Sequence, residues 1–342
     1  MSTRVAVTTS SFAQFSRQPL ALLEAHGLHV TLNPLGRTLT AAEAAEQLRG
    51  CCGVIAGTEP LSRRVLEALP ELRVISRCGT GMDAVDAVAA RELGIQLCNT
   101  PDAPTQAVAE LTLGVLLDVL RQVSRMDREL RAGIWKKRMG GLLCGKHVGI
   151  IGMGRIGTAV ARLCAAFGAQ VACTDPDSTR GTAFQRLPLE DLLRRSDIVS
   201  LHCPLPAQNT GTPPPSATSF SATACAAVPP AAGFPAALLG ARELALLPQG
   251  ALLLNLARGG LVDEQALAEM LRTGRLGGAA LDVYAQEPYN GPLRALDNVV
   301  LTPHCASYAR EARIAMEMEA ARNLLAALKL PETPPNAQTP TA

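Results

Sequence analysis

The chain is 342 residues long, 48% hydrophobic and 18% charged, with a formal net charge of +2. That length predicts two domains with a core in each, and the balance excludes a disordered chain. A net charge so near zero, without a long basic run, argues against nucleic acid as the main partner, and no apolar stretch reaches the ~18 residues of a membrane span. No basic segment leads into an apolar one at the N-terminus, so no secretion signal is expected. Ten cysteines without a Cys-x-x-Cys spacing fit free thiols in a reducing cytoplasm, and no metal site is expected.

Taken in order, short β-like runs at 5–8, 29–32, 53–56, 73–76 and 95–98 alternate with helical patterns at 19–25, 41–48 and 62–69. Such alternation predicts a parallel sheet covered on both faces. Residues 105 to about 130 read as one long helix. A second series of strands follows at 147–151, 170–174, 198–202, 251–255, 278–283 and 298–301, which suits a doubly wound dinucleotide domain. A last helix spans about 308–328, and the Pro- and Thr-rich tail 331–342 is expected to be disordered. Residues 211–237 break the pattern: they are almost entirely Ala, Pro, Ser and Thr and read as a low-complexity surface insertion.

The run from Val148 to Gly157 joins an apolar strand to a helix through Gly152-x-Gly154-x-x-Gly157. Gly152 allows the tight turn, Gly154 lets a pyrophosphate approach the backbone, and Gly157 lets the helix pack on the strand. The helix N-terminus, at Arg155 and Ile156, offers N–H groups to the phosphates. Asp175 ends the next strand, where an acid accepts from the adenosine ribose hydroxyls. Its carboxylate would repel a 2′-phosphate. Two unit charges about 4 Å apart at an effective dielectric of ~20 interact by roughly 4 kcal/mol, so NAD is favoured over NADP. Arg180, a few residues on, softens that preference.

Three further segments place polar residues at strand ends, where ligands gather in open α/β sheets. They are Asn255 to Gly260, Leu281 to Pro288, and Thr302 to Ser307. A guanidinium at Arg258, on a glycine-rich turn, can grip a carboxylate with two parallel hydrogen bonds. Singly, Arg258, Glu287 and His304 could each be ordinary loop residues; together, after a dinucleotide loop, they read as a catalytic set.

On these residues the chain resembles the D-isomer-specific 2-hydroxyacid dehydrogenases, in particular the phosphoglycerate dehydrogenase-like branch. The resemblance also rests on Arg77 to Asp83, Val108-Ala109-Glu110 and His202 to Pro206, and runs from about residue 50 to 328. It implies two doubly wound parallel-sheet domains, with a Rossmann NAD domain (100–304) inserted in a flavodoxin-like substrate domain (1–99 plus 305–330). It implies that the cleft between them closes on a small 2-hydroxy or 2-keto acid. Arg258 would bind the substrate carboxylate, with the backbone amides of Cys78, Gly79 and Gly81. His304 would be the acid in reduction and the base in oxidation. Glu287 would sit against it, since a nearby carboxylate favours the imidazolium. His202, Pro204, Thr210 and Ala257 would line the cofactor, and Asp282 would contact its nicotinamide side. The family places the 105–130 helix at a dimer interface, so a homodimer is expected. Cys78 and Cys305 would flank the substrate, so alkylating reagents should inhibit and substrate should protect.

Two features depart from the pattern. Phosphoglycerate dehydrogenases commonly carry an Arg-Ser pair where this chain has Gly57-Thr58-Glu59-Pro60. A phosphate would lose a cation there and meet Glu59, which weakens 3-phosphoglycerate as the substrate; the leading expectation is a small D-2-hydroxy acid, with 3-phosphoglycerate oxidation and glyoxylate or hydroxypyruvate reduction as alternatives. The second is the insertion. Removing about 26 residues restores the family's spacing, so the segment is either a lineage-specific loop, able to act as a lid, or a retained intron. A rival from another class is an NAD-sensing binding protein similar to the C-terminal-binding corepressors; the lack of a nuclear-type basic cluster counts against it.

Overall fold

The computed structural model describes residues 3–205 and 237–330. Thr210, the 211–237 insertion apart from its last residue, and the 331–342 tail lie outside the described residues.

The described chain forms two compact units, one from 3–104 with 309–330 and the other from 105–205 with 237–308. Their boundaries fall a few residues beyond those drawn from the sequence. The first unit runs β1 (Arg4–Val7), α1 (Gln18–Ala25), β2 (His29–Leu32), α2 (Ala41–Gln47), β3 (Gly53–Ala56), α3 (Arg63–Glu67), β4 (Val74–Arg77), α4 (Ala87–Glu92) and β5 (Gln96–Asn99). All pairings are parallel, and the order is β2-β1-β3-β4-β5, the flavodoxin-like arrangement. Its strands bury alternate residues on opposite faces. Val5, Val7, Ile55 and Val74 meet one core, while Ala6, Val54, Ala56 and Ile75 meet another. That two-sided burial is why these strands read as continuous apolar runs.

The second unit contains α5 (Thr105–Arg121), α6 (Val123–Arg131), β6 (His147–Ile151), α7 (Arg155–Ala166), β7 (Gln170–Thr174), β8 (Gln185–Arg186), α8 (Leu189–Arg195) and β9 (Ile198–Leu201). After the undescribed segment come α9 (Ala241–Leu246), β10 (Ala251–Asn255), α10 (Glu264–Arg272), β11 (Leu276–Leu281) and β12 (Val299–Leu301). The chain then returns to the first unit through α11 (Arg310–Ala327), whose Ala320 carbonyl accepts from the Ser76 hydroxyl at 2.8 Å. The seven-stranded parallel order β12-β11-β10-β9-β6-β7-β8 reverses beside β6, the Rossmann switch point. Among the described residues no helix is long and apolar enough to cross a membrane.

One expected element is broken. The single helix read over 105–130 is α5 and α6, because Gln122 between them is left-handed (φ 54°). Asp118 makes the break stable: its carboxylate accepts the Ser124 amide at 2.7 Å and the Ser124 hydroxyl, supplying acceptors for the new helix start. The two-residue strand β8 carries too little pattern to be read from sequence.

Candidate active site

The glycine loop is built as its sequence requires. Gly152 has φ 93°, and a Cβ on it would stand 2.6 Å from the His202 carbonyl oxygen; one on Gly157 would overlap the Gly152 carbonyl. Gly154 has the opposite surroundings: a Cβ there would meet only Arg180 Nη1, at 3.9 Å. It is the N-cap of α7, and no side-chain cap hydrogen bond is made at that end. Crowding beneath and openness above suit a pyrophosphate. Asp175 closes β7, its Oδ2 accepting from Met153 N at 2.6 Å and its Oδ1 from Asp177 N at 2.9 Å. Each oxygen keeps a second lone pair for a ribose hydroxyl. Arg180 pairs with Asp177 at 3.0 Å.

His202, expected to line the cofactor, is half-buried beside the loop; its Nε2 lies 2.8 Å from Ser200 Oγ, its Nδ1 meets no partner among the described residues, and burial pulls the imidazole down to about 3. Pro204 is exposed and Ala257 half-buried at the ends of their strands.

Arg258 follows β10. The buried side chain of Asn255 braces the turn from both sides, accepting from Ala257 N at 3.1 Å and donating to the Arg258 carbonyl at 2.8 Å. A Cβ on Gly259 would overlap the Tyr284 carbonyl, so this turn and the segment after β11 sit in direct backbone contact. In that segment Glu287 accepts from His304 Nδ1 at 2.8 Å through Oε2 and from Tyr284 N at 3.1 Å through Oε1. Burial opposes its ionisation, but the His304 ring, the Tyr284 amide and the Arg258 charge outweigh it and hold the carboxyl below the usual range. His304 is left-handed, φ 52°, on an exposed turn after β12. Such backbone is costly for a residue with a Cβ and is held by its surroundings.

Asp282, expected on the nicotinamide side of the cofactor, supplies that hold. It is 0% exposed. Its Oδ1 accepts from Thr302 Oγ1 at 2.6 Å and Cys305 N at 2.8 Å, and its Oδ2 from Ala306 N at 2.8 Å. These bonds fix both flanks of His304. Tyr284, to which sequence reasoning gave no role, shares its hydroxyl between the Leu281 and Thr302 carbonyls. Only a buried polar residue at a strand end hinted at Asn255, Asp282 or Tyr284 as supports.

In the first unit the Cys78–Gly81 expectation is also corrected. Cys78 N donates to the Ala56 carbonyl at 3.0 Å, and Gly79 N to Thr100 Oγ1 at 2.8 Å and the Arg77 carbonyl at 3.0 Å. Of the three amides only that of Gly81 is not engaged in a described hydrogen bond. The Cys78 thiol is 2% exposed and pushed up to about 11 by burial, and burial also raises half-buried Cys305. Cys78 is therefore packed rather than poised for alkylation. Glu59 is buried too, and burial raises its carboxyl rather than leaving a surface charge.

The model for the D-isomer specific 2-hydroxyacid dehydrogenase catalytic domain matches residues 6–337. A glyoxylate reductase of Korarchaeum cryptofilum is 34% identical over 304 residues, covering 85% of this chain and 83% of the relative. A D-3-phosphoglycerate dehydrogenase of Methanocaldococcus jannaschii is 35% identical over 286 residues, which cover 80% of this chain but 49% of that longer protein. Among solved structures, the TT0316 protein from Thermus thermophilus is 37% identical with a TM-score of 0.81, covering 97% of this chain and 99% of its own.

Proposed function

The chain belongs to the D-isomer-specific 2-hydroxyacid dehydrogenases, and from that premise we propose that it is an NAD-dependent reductase of a small, unphosphorylated 2-keto acid, acting through Arg258, Glu287 and His304. It is an oxidoreductase that interconverts a 2-hydroxy acid and its keto acid; the bound nicotinamide supplies or accepts the hydride. The observation that carries the assignment of roles is the 2.8 Å bond from His304 Nδ1 to Glu287. With Nδ1 turned to a carboxylate, Nε2 is left to give a proton to the keto oxygen. The fork of Arg258 matches a substrate carboxylate.

The preference for NAD rests on Asp175, whose oxygens are fixed by two amides beside the glycine loop. The expectation of a homodimer is supported by residues 123–142, where Trp135 is 83% and Met139 92% exposed, with Val123, Leu130, Ile134 and Leu142 exposed around them. Apolar side chains gathered in one segment mark an interaction surface. We place the protein in the cytoplasm, where its cysteines would stay reduced.

Turnover of NADH and of NADPH with glyoxylate, hydroxypyruvate, pyruvate and 3-phosphohydroxypyruvate tests the reading. Strong reduction of an unphosphorylated acid with NADH is expected. Preference for the phosphorylated acid would make this a phosphoglycerate dehydrogenase, and no turnover with any would favour a dinucleotide-sensing binding protein.

A further inference from the structure

In the second unit the segment from Asn255 to Glu264 carries Arg258 and then starts α10, while the segment from Leu281 to Pro288 carries Glu287. The two touch at more than one point. A Cβ on Gly259 would overlap the Tyr284 carbonyl, so the backbones are in contact there. Five residues beyond Gly259, Glu264 opens α10, and its Oε1 accepts from Ala285 N at 2.7 Å. An acid in the first turn of a helix ordinarily answers the free N–H groups of that helix. Here Asp263 does so, its Oδ1 accepting from Gln265 N and Ala266 N at 3.0 Å each. The Glu264 carboxylate is turned instead to an amide 21 residues along the chain. The consecutive amides of Tyr284 and Ala285 therefore go to two different carboxylates, Glu287 at 3.1 Å and Glu264 at 2.7 Å. Glu264 is half-buried, and burial raises its carboxyl; the Ala285 amide works against that rise, while Asp263 and Glu287 add to it. A carboxyl kept where burial and two acids oppose its charge is a poor stabiliser, and such groups gather at functional sites.

We propose that Glu264 is a positioning residue for the acid–base pair: by holding the Ala285 amide it fixes the 284–287 turn, and with it the Glu287 carboxylate that meets His304 Nδ1. This rests on the reading of Glu287 and His304 as the proton-transfer pair. Glu287 makes one bond inside its own turn, to Tyr284 N, and one to His304. The first moves with the turn and cannot anchor it. The outside anchors are the Gly259 contact, the Tyr284 hydroxyl on the Leu281 and Thr302 carbonyls, the stacking of the Tyr284 and Tyr289 rings at 4.3 Å, and Glu264. The first three all act on Tyr284. Glu264 takes hold one residue closer to Glu287. Slack in the turn matters because a misplacement of about 1 Å at a reacting group can cost ~10²-fold in rate. Glu264 also shares a short segment with Arg258, so the same bond ties the strand end that grips a carboxylate to the one that holds the acid.

The test is kcat and KM for NADH-dependent reduction of whichever of glyoxylate and hydroxypyruvate the full-length wild type turns over faster. The variants are Glu264→Ala, Glu264→Asp, Glu264→Gln, Glu287→Gln, and Glu264→Ala combined with Glu287→Gln. Glu264→Ala should lower kcat by about 10- to 100-fold, with the keto acid KM and NADH affinity near wild type. Glu264→Asp keeps the charge but falls one methylene short of Ala285, and should lose nearly as much. Glu264→Gln keeps an oxygen for the amide and should recover most of the activity. In the Glu287→Gln background, removing Glu264 should cost far less than in the wild type, because the carboxylate it positions is already gone. Melting curves check that each variant folds. Wild-type kcat in folded Glu264→Ala and Glu264→Asp, or an equal loss in both backgrounds, would overturn the positioning role, as would a Glu264→Gln as slow as Glu264→Ala. A wild type that reduces neither acid, or a Glu287→Gln variant with wild-type turnover, would instead overturn the reading of the pair on which the proposal rests.

Discussion

His304 and Glu287 stand as a pair, and each side has its own expected failure. His304→Ala should lower turnover by the ~10²–10⁴-fold typical of losing a general acid, while dinucleotide binding measured by fluorescence persists. Loss of that binding in a folded variant would mean that the role is misassigned. Glu287→Gln keeps the shape but replaces the carboxylate that meets His304 Nδ1 at 2.8 Å, so turnover should fall while dinucleotide binding persists, and unchanged turnover would separate Glu287 from the proton transfer. The same pair bears on stability. Glu287 titrates below its unfolded value, so its contribution is present above the ordinary carboxylate range and is lost as pH falls through the lowered folded value. Asp282 acts through His304 rather than on substrate. In Asp282→Asn an amide N–H₂ replaces one acceptor opposite a buried backbone N–H, a cost of about 1–3 kcal/mol. Melting temperature should fall together with turnover.

The elements of the second unit matter through their ends. β10, β11 and β12 are neighbours in register, so Arg258, Glu287 and His304 leave the same edge of the sheet. Backbone contact between the Arg258 turn and Tyr284 keeps two of those ends together, and Gly259 is the residue that permits it. Gly259→Ala should therefore cost more activity than a surface Gly→Ala change, which alters stability by only ~0.5–1 kcal/mol. Wild-type kcat/KM in that variant would show that the contact is dispensable. The α5–α6 break shows a different logic: a helical pattern continued across residue 122, but Asp118 captured the Ser124 amide and hydroxyl and gave the chain a local alternative to continuing the helix.

At the scale of the molecule, the apolar segment 123–142 predicts self-association. Light scattering should give twice the chain mass, and Trp135→Asp with Met139→Asp should shift it toward monomer; a wild-type monomer would refute the homodimer. Cofactor choice belongs here as well. Asp175→Ser should narrow the gap between NADH and NADPH by removing the charge that a 2′-phosphate meets. An unchanged ratio would place the selection elsewhere.

The alternation of apolar runs and helical patterns set both parallel sheets, because strands buried on two faces leave a continuous apolar trace. The Gly152–Gly157 spacing set the dinucleotide loop, because each glycine answers a steric demand within a few residues. Arg258, Glu287 and His304 were legible as chemistry at strand ends; their support was not. Which lone pairs of Asp282 remain, which amides of Cys78 and Gly79 are already engaged, and whether Glu59 faces water or Thr8 depend on partners dozens of residues away. Only the packing of distant segments decides which polar groups are consumed in holding the fold and which remain for a ligand.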